Sequence, residues 1–162
     1  MFDPALLARA EKLLADARLK GLKIATAESC TGGLVAALLT EIAGSSDVFE
    51  RGFVTYSNRA KQDLLGVPAA MIRQHGAVSE PVARAMAEGA IRNSGAQLAI
   101  AITGIAGPGG GSDEKPVGLV HITAARAGEA TLHRECRFGD IGRSAVRLKS
   151  VETALEMLQS LV

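Results

Sequence analysis

The chain has 162 residues, of which 48% are hydrophobic and 22% are charged, and this length and composition predict one globular domain over residues 1–162. The 18 Lys and Arg residues nearly balance the 17 Asp and Glu residues, so a formal net charge of +1 argues against nucleic acid or a membrane surface as the partner. With no Trp, 1 Tyr and 4 Phe, the chain also has few rings on which single-stranded bases could stack.

Cysteine and histidine usage argues against a disulfide framework or a metal centre. Cys30 and Cys136 are the only cysteines, and His75, His121 and His133 show no metal-ligand spacing with them. We therefore expect a protein of the reducing cytoplasm that uses no metal and no cofactor. The first residues lack the apolar segment of a signal peptide, and no run reaches the roughly 18 apolar residues that a membrane-spanning helix requires.

Apolar residues at three- and four-residue spacing predict an N-terminal amphipathic helix, with Asp3 as its N-cap, Pro4 in its first turn and Gly21 beyond its end. Hydrophobic periods and the Gly, Pro and Asn boundaries define the later elements. In chain order, the sequence predicts a helix over 3–20, a strand over 22–27, a helix over 32–42, a strand over 49–56, a helix over 58–65 that Gly66 ends, a connector over 67–77, a helix over 79–91, a strand over 98–102, a glycine-rich loop over 103–112, two strands over 117–125 and 131–138, and a helix over 144–161.

Strands and helices alternate through the first part of the chain, which is typical of a parallel sheet with helices on both faces. The continuous apolar run 98–102 fits a central strand that is buried on both faces. The last two strands are predicted to form a hairpin, which adds antiparallel pairing at one edge. The predicted fold class is therefore α/β, a three-layer α/β/α sandwich with a mixed, mainly parallel sheet.

Ser29 is the first candidate for chemistry, because it lies in a turn that leaves a strand and enters a helix. The first amides of that helix, near Thr31, Gly32 and Gly33, could hold an oxyanion while Ser29 attacks a carbonyl carbon. A serine before a helix is also a common N-cap, and the G-x-S-x-G elbow of the α/β-hydrolases is absent. The thiol of Cys30 is a rival nucleophile, although a free cysteine more often packs in the core.

Tyr56 and Lys61 form the second candidate group. Tyr56 ends a predicted strand and Lys61 lies one turn into the following helix, so both can reach the end of the sheet where Ser29 lies. A partly desolvated lysine can act as the base for a serine nucleophile. The alternative is a solvent-facing lysine on a surface helix.

The third candidate is the glycine-rich loop that begins at Thr103 and Gly104. It is neither a Walker A loop nor a G-x-G-x-x-G turn that opens a Rossmann helix. Its backbone amides could still form a concave site for an anion. A flexible surface crossing is the alternative interpretation.

Arg143 and Arg147 stand near the start of the last predicted helix. A guanidinium in such a place can clamp a phosphate, since its fork of donors matches the phosphate oxygens. The alternative is a surface arginine in an ion pair, for example with Asp140. The sequence leaves open which arginine would meet phosphate.

Five segments of the chain form a combination that is more specific than any one of them. They are 27–33 (AESCTGG), 52–58 (GFVTYSN) followed by Lys61, 76–79 (GAVS), 103–108 (TGIAGP) and 115–118 (KPVG). In this order they resemble the CinA C-terminal domain family, and the resemblance covers nearly the whole chain.

The resemblance implies a nicotinamide-nucleotide amidase, which hydrolyses nicotinamide mononucleotide (NMN) to nicotinic acid mononucleotide and ammonia without a metal. It also implies a three-layer α/β/α sandwich that assembles as a homodimer or a larger homo-oligomer. The implied site residues are Ser29 as the nucleophile, Lys61 and Tyr56 as its activating or proton-relaying partners, and Thr31, Thr103 and Arg143 as contacts to the nucleotide.

Other functions stay open at this point. Many relatives carry an additional N-terminal domain that resembles molybdopterin-binding proteins, and functions of that domain are not expected for a chain that opens on the first helix. One alternative is a non-catalytic module that binds a pyridine nucleotide. Another is an amidase that acts on a different small amide or nucleotide.

Overall fold

The computed structural model describes all residues from Met1 to Val162, and its sheet has five strands. The strands are β1 (Ile24–Glu28), β2 (Phe49–Val54), β3 (Leu98–Gly104), β4 (Leu119–Arg126) and β5 (Leu132–Arg137). The helices are α1 (Pro4–Leu19), α2 (Leu34–Thr40), α3 (Asn58–Leu65), α4 (Ala69–His75), α5 (Glu80–Arg92) and α6 (Arg143–Ser160).

The strand order is β2-β1-β3-β4-β5, with parallel pairing among the first three strands and antiparallel pairing from β3 onward. This confirms the predicted three-layer fold with a mixed sheet and an antiparallel hairpin at one edge. Because β1, β2 and β3 run in the same direction, their carboxyl ends meet at one edge, where parallel sheets usually bind ligands. None of the helices is long and apolar enough to cross a membrane.

Most of the predicted elements are confirmed, but the connector predicted over 67–77 is wrong. Ala69–His75 form the short helix α4, with Pro68 at its N-cap and Gly76 at its C-cap. A seven-residue helix buries only one side chain, Ile72, so it leaves no repeated apolar period in the sequence. A 3₁₀ turn over Ser45–Asp47 was likewise not predicted.

The two faces of the sheet carry side chains of different size. Large residues such as Ile24, Leu98 and Ile100 pack against α1, α2 and α6 in the larger core cluster. On the opposite face, Ala25 and Ala99 lie under α3, α4 and α5, so these helices approach the sheet closely. This close approach brings the side chains of α3 to the sheet.

A glycine controls the packing between α3 and α5. A Cβ atom on Gly89 would lie 2.1 Å from the carbonyl oxygen of Leu65, the last residue of α3. Only glycine therefore lets α5 and α3 pack together at this distance. The position of α3 matters for the site, since this helix carries Lys61.

Candidate active site

A pocket of about 300 Å³ opens at the carboxyl ends of the parallel strands. Its lining includes Ser29 and Cys30 after β1, Tyr56 after β2, and Lys61 on α3. The end of β3 and the glycine-rich loop also line the pocket, and so does Arg143 at the start of α6. The sequence-predicted residues that line the pocket are Ser29, Tyr56, Lys61, Thr103, Gly104 and Arg143.

Strand alternation sends Ser29 and its neighbour Glu28 to opposite faces of the sheet. The Ser29 amide donates to the Ile102 carbonyl at 2.9 Å, so the pairing of β1 with β3 continues to this residue. Successive side chains on a strand point to opposite faces. Ser29 therefore faces α3, whereas Glu28 faces α2.

The amine of Lys61 lies 3.0 Å from the hydroxyl oxygen of Ser29. Lys61 is only 1% exposed, which excludes the solvent-facing alternative. Its Nζ also donates to the carbonyl oxygens of Thr55 at 2.9 Å and Tyr56 at 3.4 Å. A neutral amine has two N–H bonds and one lone pair, so these two carbonyls leave its lone pair directed toward the Ser29 hydroxyl.

Burial lowers the pKa of Lys61, because the loss of hydration destabilises the charged ammonium more than the neutral amine. Its hydrogen-bond partners are two carbonyls and a hydroxyl, and none of these is a carboxylate that would favour the cation. The lowered pKa increases the fraction of neutral amine at neutral pH. The arrangement can thus remove the proton from Ser29.

Burial has the opposite effect on Cys30, whose thiol pKa it raises to about 11. The thiolate is the reactive form of cysteine, so this side chain is almost wholly protonated at neutral pH. Cys30 is 5% exposed and belongs to the larger core cluster. The structure therefore favours Ser29 over Cys30 as the nucleophile.

Glu28 fills the N-terminus of α2 with its own carboxylate. One oxygen accepts from the amides of Gly33 and Val35, each at 3.1 Å, and the other accepts from the amide of Ala36 at 2.9 Å. The side chain is fully buried, and these charge-assisted hydrogen bonds compensate the loss of solvent. No sequence prediction gave Glu28 a role, although an acidic residue at a strand end, shortly before a helix, was a usable signal.

Removing this charge is expected to weaken the fold. Glu28→Gln keeps the shape but replaces one acceptor oxygen by an NH₂ group that faces a backbone N–H, so we expect about 2–3 kcal/mol lower unfolding free energy. Urea unfolding measures the difference. Glu41→Gln, an exposed residue at the other end of α2, is the matched control and should stay within about 0.5 kcal/mol of wild type. Equal stability of the two variants would contradict the role of Glu28.

The sequence predicted that Gly32 and Gly33 offer free amides to an oxyanion, but in the structure both amides already have acceptors. The Gly33 amide is bound to Glu28, and the Gly32 amide donates to the Ser29 carbonyl at 3.0 Å. Thr31 is fully buried and does not line the pocket. These three predicted contacts therefore lie behind the pocket wall, and the glycines serve the turn itself through positive φ angles of 58° and 100°.

Arg143 bridges two sides of the pocket. Its guanidinium donates to the Tyr56 hydroxyl at 2.9 Å and to the Gly107 carbonyl at 2.8 Å. The Tyr56 side chain is 60% exposed and its hydroxyl bonds Arg143, so the structure does not bring this hydroxyl to Lys61 as the proton-relay expectation requires. Of the two candidate arginines, Arg143 lines the pocket and Arg147 does not.

Thr103 and Gly104 end β3, the strand that pairs with β1 up to Ser29. The Thr103 hydroxyl donates to the Ala77 carbonyl at 3.0 Å, which ties β3 to the segment before α5. A Cβ on Gly104 would lie 2.7 Å from the side chain of Val120, so close strand packing requires glycine there. The loop that follows, over residues 105–110, forms much of the pocket wall.

The fold and the site together define a three-layer α/β/α protein with a buried serine–lysine pair at the carboxyl edge of its parallel strands. Comparison with known proteins makes the assignment specific: the chain belongs to the CinA C-terminal domain family, whose model matches residues 7–162.

Two curated relatives illustrate this family membership. The chain is 51% identical, over 98% of its length and 95% of the relative, to the nicotinamide-nucleotide amidohydrolase PncC of Escherichia coli strain K12. It is 55% identical, over 87% of its length, to a CinA-like protein of Syntrophobacter fumaroxidans, but it spans only 33% of that longer protein.

Solved structures agree with the fold. The crystal structure of the competence/damage inducible protein CihA from Agrobacterium tumefaciens is similar with a TM-score of 0.97 and 54% identity, and the match covers 99% of this chain and 98% of that one. A CinA superfamily protein from Escherichia coli matches with a TM-score of 0.92 and 32% identity, over 100% of this chain and 94% of that one.

Proposed function

We propose that the protein is a nicotinamide-nucleotide amidase that hydrolyses NMN to nicotinic acid mononucleotide and ammonia, with Ser29 as the nucleophile. The observation that carries the proposal is the 3.0 Å contact between Ser29 and the buried amine of Lys61 at the pocket wall. The 51% identity to the amidohydrolase PncC over nearly the whole chain supports the substrate.

The proposed reaction is acyl transfer through a covalent intermediate. Ser29 Oγ attacks the carboxamide carbon while its proton passes to Lys61, and the carbonyl oxygen becomes an oxyanion. When the tetrahedral intermediate collapses, the C–N bond breaks and the leaving nitrogen takes the proton from Lys61, which releases ammonia. Water then attacks the acyl-enzyme and gives a proton to Lys61, which passes it to Ser29 Oγ as the ester bond breaks, so the acid product is released and the serine hydroxyl and neutral lysine are restored.

The nucleotide part of the substrate supplies orientation. Arg143 already donates to two neutral acceptors in the pocket and is not engaged with a carboxylate, so a phosphate would be a stronger partner for its guanidinium. Phosphate and ribose contacts, with Arg143 and the glycine-rich loop, hold the amide against Ser29 without taking part in the reaction. Such remote binding energy raises the rate at the reacting carbon.

Ammonia release from NMN, nicotinamide and NAD tests the proposal. We expect kcat/KM for NMN to exceed that for nicotinamide by about 10²-fold or more, since the free base lacks the remote contacts. NAD should be the poorer nucleotide, because about 300 Å³ is at the small end of ligand pockets.

Two outcomes would contradict this function. Calorimetric binding of NMN without ammonia release would favour a non-catalytic nucleotide-binding module. Equal activity on nicotinamide and NMN would instead favour an amidase for small amides, because the phosphate contact would then contribute nothing.

The proposal extends to the setting of the enzyme. Residues 1–162 act as one amidase domain, located in the cytoplasm and assembled as a homodimer or a larger homo-oligomer. The family model, which matches residues 7–162, supports the single domain. The exposed apolar side chains of Val54, Tyr56 and Leu64, on and after the edge strand β2, offer surface that such an assembly would cover.

A further inference from the structure

Two backbone amides in the turn after Ser29 have no acceptor within the chain. The surrounding amides are all used: Ser29 donates to Ile102, Gly32 donates to Ser29, and Gly33 donates to Glu28. The amides of Cys30 and Thr31, between them, take part in no hydrogen bond. Backbone donors in a buried turn are normally paired, so two adjacent free donors beside a nucleophile need a physical explanation.

The side chain of Arg147 reaches this turn from α6. Its Nε donates to the Cys30 carbonyl at 3.1 Å and its Nη2 donates to the Thr31 carbonyl at 3.0 Å. Arg147 takes part in no salt bridge and does not line the pocket. The half-buried guanidinium of Arg147 therefore donates only to two neutral carbonyls in the turn after Ser29.

Peptide geometry converts these carbonyl contacts into amide orientations. In a planar trans peptide, the C=O and N–H bonds point in opposite directions. Arg147 holds the Cys30 carbonyl, so the Thr31 N–H of the same peptide points away from α6. Arg147 also holds the Thr31 carbonyl, so the Gly32 N–H of that peptide points to the Ser29 carbonyl, to which it donates. The Ser29 carbonyl and the Cys30 N–H belong to one peptide, so this hydrogen bond also fixes the direction of the Cys30 N–H.

We propose that Arg147 is a positioning residue that orients the free amide of Cys30, which lines the pocket, to bind the oxyanion of the tetrahedral intermediate. The inference rests on the proposed amidase function and names a backbone donor for the oxyanion that its mechanism requires. Glu28 supports the same arrangement, since it occupies the amides of Gly33, Val35 and Ala36 and leaves only the amides of Cys30 and Thr31 unpaired. Arg147 itself touches neither the substrate nor the reacting atoms.

Arg147→Met tests the proposal, because methionine keeps most of the aliphatic length and removes both donors. We expect kcat for NMN to fall by about 10²-fold, in the range for a lost oxyanion donor, while KM stays within about twofold.

Arg147→Lys, which can donate to one carbonyl, should recover part of the loss. Lys149→Met, an exposed change on the same helix, is the matched control and should behave as wild type. Arg143→Met should raise KM, as expected for a pocket residue.

A second measurement separates this inference from the identity of the substrate. Pyridine-3-boronic acid carries a boron atom that accepts Ser29 Oγ while the serine proton passes to Lys61, and the resulting tetrahedral boronate places an oxygen where the oxyanion forms. We expect Arg147→Met to weaken boronate binding by about the same factor as it lowers kcat/KM. If wild type binds the boronate but releases no ammonia from NMN, the proposed function fails, and the ratio of boronate affinities still tests Arg147.

Three results would overturn the inference. The first is a kcat for Arg147→Met within about threefold of wild type. The second is a higher KM with unchanged kcat, which would make Arg147 a substrate contact. The third is unchanged boronate affinity. Should Arg147→Met fail to fold by circular dichroism, Arg147→Leu, which also removes both donors, replaces it under the same criteria.

Discussion

Ser29→Ala is expected to abolish ammonia release from NMN, with a fall in kcat of about 10⁴-fold or more, as for other serine nucleophiles. The variant lacks the only hydroxyl that the Lys61 amine contacts. Substrate binding should persist, because the phosphate and ribose contacts are remote from Ser29. Stopped-time ammonia assays measure the loss, and calorimetry with NMN measures the retained affinity.

Cys30→Ala is the matched control for this substitution. It changes the neighbouring pocket residue by a similar volume but leaves the backbone amide of position 30 in place. We expect its kcat to stay within a few-fold of wild type, since burial keeps the thiol protonated. Wild-type activity in Ser29→Ala, or a complete loss in Cys30→Ala alone, would transfer the nucleophile role to the thiol.

Lys61→Met is expected to lower kcat by about 10³-fold, within the usual range for the loss of a general base. Methionine has nearly the same length and leaves the packing of α3 largely intact, but it cannot accept the Ser29 proton. KM should change little, because Lys61 contacts a hydroxyl and two carbonyls of the protein itself.

The pH dependence of wild type gives an independent check on Lys61. The reaction needs the neutral amine, and burial lowers the pKa of this lysine below its ordinary value. Activity should therefore fall as the pH drops through the lowered pKa and level off above it. The residual activity of Lys61→Met should lack this fall in kcat at low pH. If the fall persists in the variant, another group is responsible for the titration.

The same lowered pKa has a consequence for stability. The unfolded chain binds a proton at Lys61 up to the ordinary lysine pKa, whereas the folded protein releases it at lower pH. Between these two pKa values the unfolded state holds more protons, so the unfolding free energy rises with pH across this window. Lys61→Met should remove this rise and have a higher melting temperature than wild type below the window. A melting temperature lower than that of wild type there would contradict the argument.

Local sequence patterns were sufficient to locate the candidate site at one edge of the sheet. The segments around Ser29, Tyr56 and Thr103 each follow a run that reads as a strand, and helical periods follow two of them. Carboxyl ends of parallel strands share one edge, so these residues could be grouped without coordinates. Helix α4 escaped detection because seven residues with one buried side chain give no periodic signal.

Roles within the site were less accessible from the sequence. Tyr56 was grouped with Lys61 from its place at a strand end and from the family resemblance, but its exposed ring and its bond to Arg143 place its hydroxyl at the outer part of the pocket. The contribution of Glu28 depends on strand alternation and on where α2 begins, to within one residue. Boundaries of that accuracy are the least predictable feature of a sequence.

The sequence by itself determined the family, the order of the strands and of every helix except α4, and the edge of the sheet at which Ser29 and Lys61 lie, because these features follow from short-range periodicity and from motifs that are contiguous in the chain. Only the tertiary structure decided which groups meet. The Ser29–Lys61 contact spans 32 residues and the Arg147 contacts span more than 100, and they exist because α3 packs on alanines and Gly89 while α6 packs on the opposite face. Contacts of this kind depend on the packing of whole elements, which no local pattern encodes.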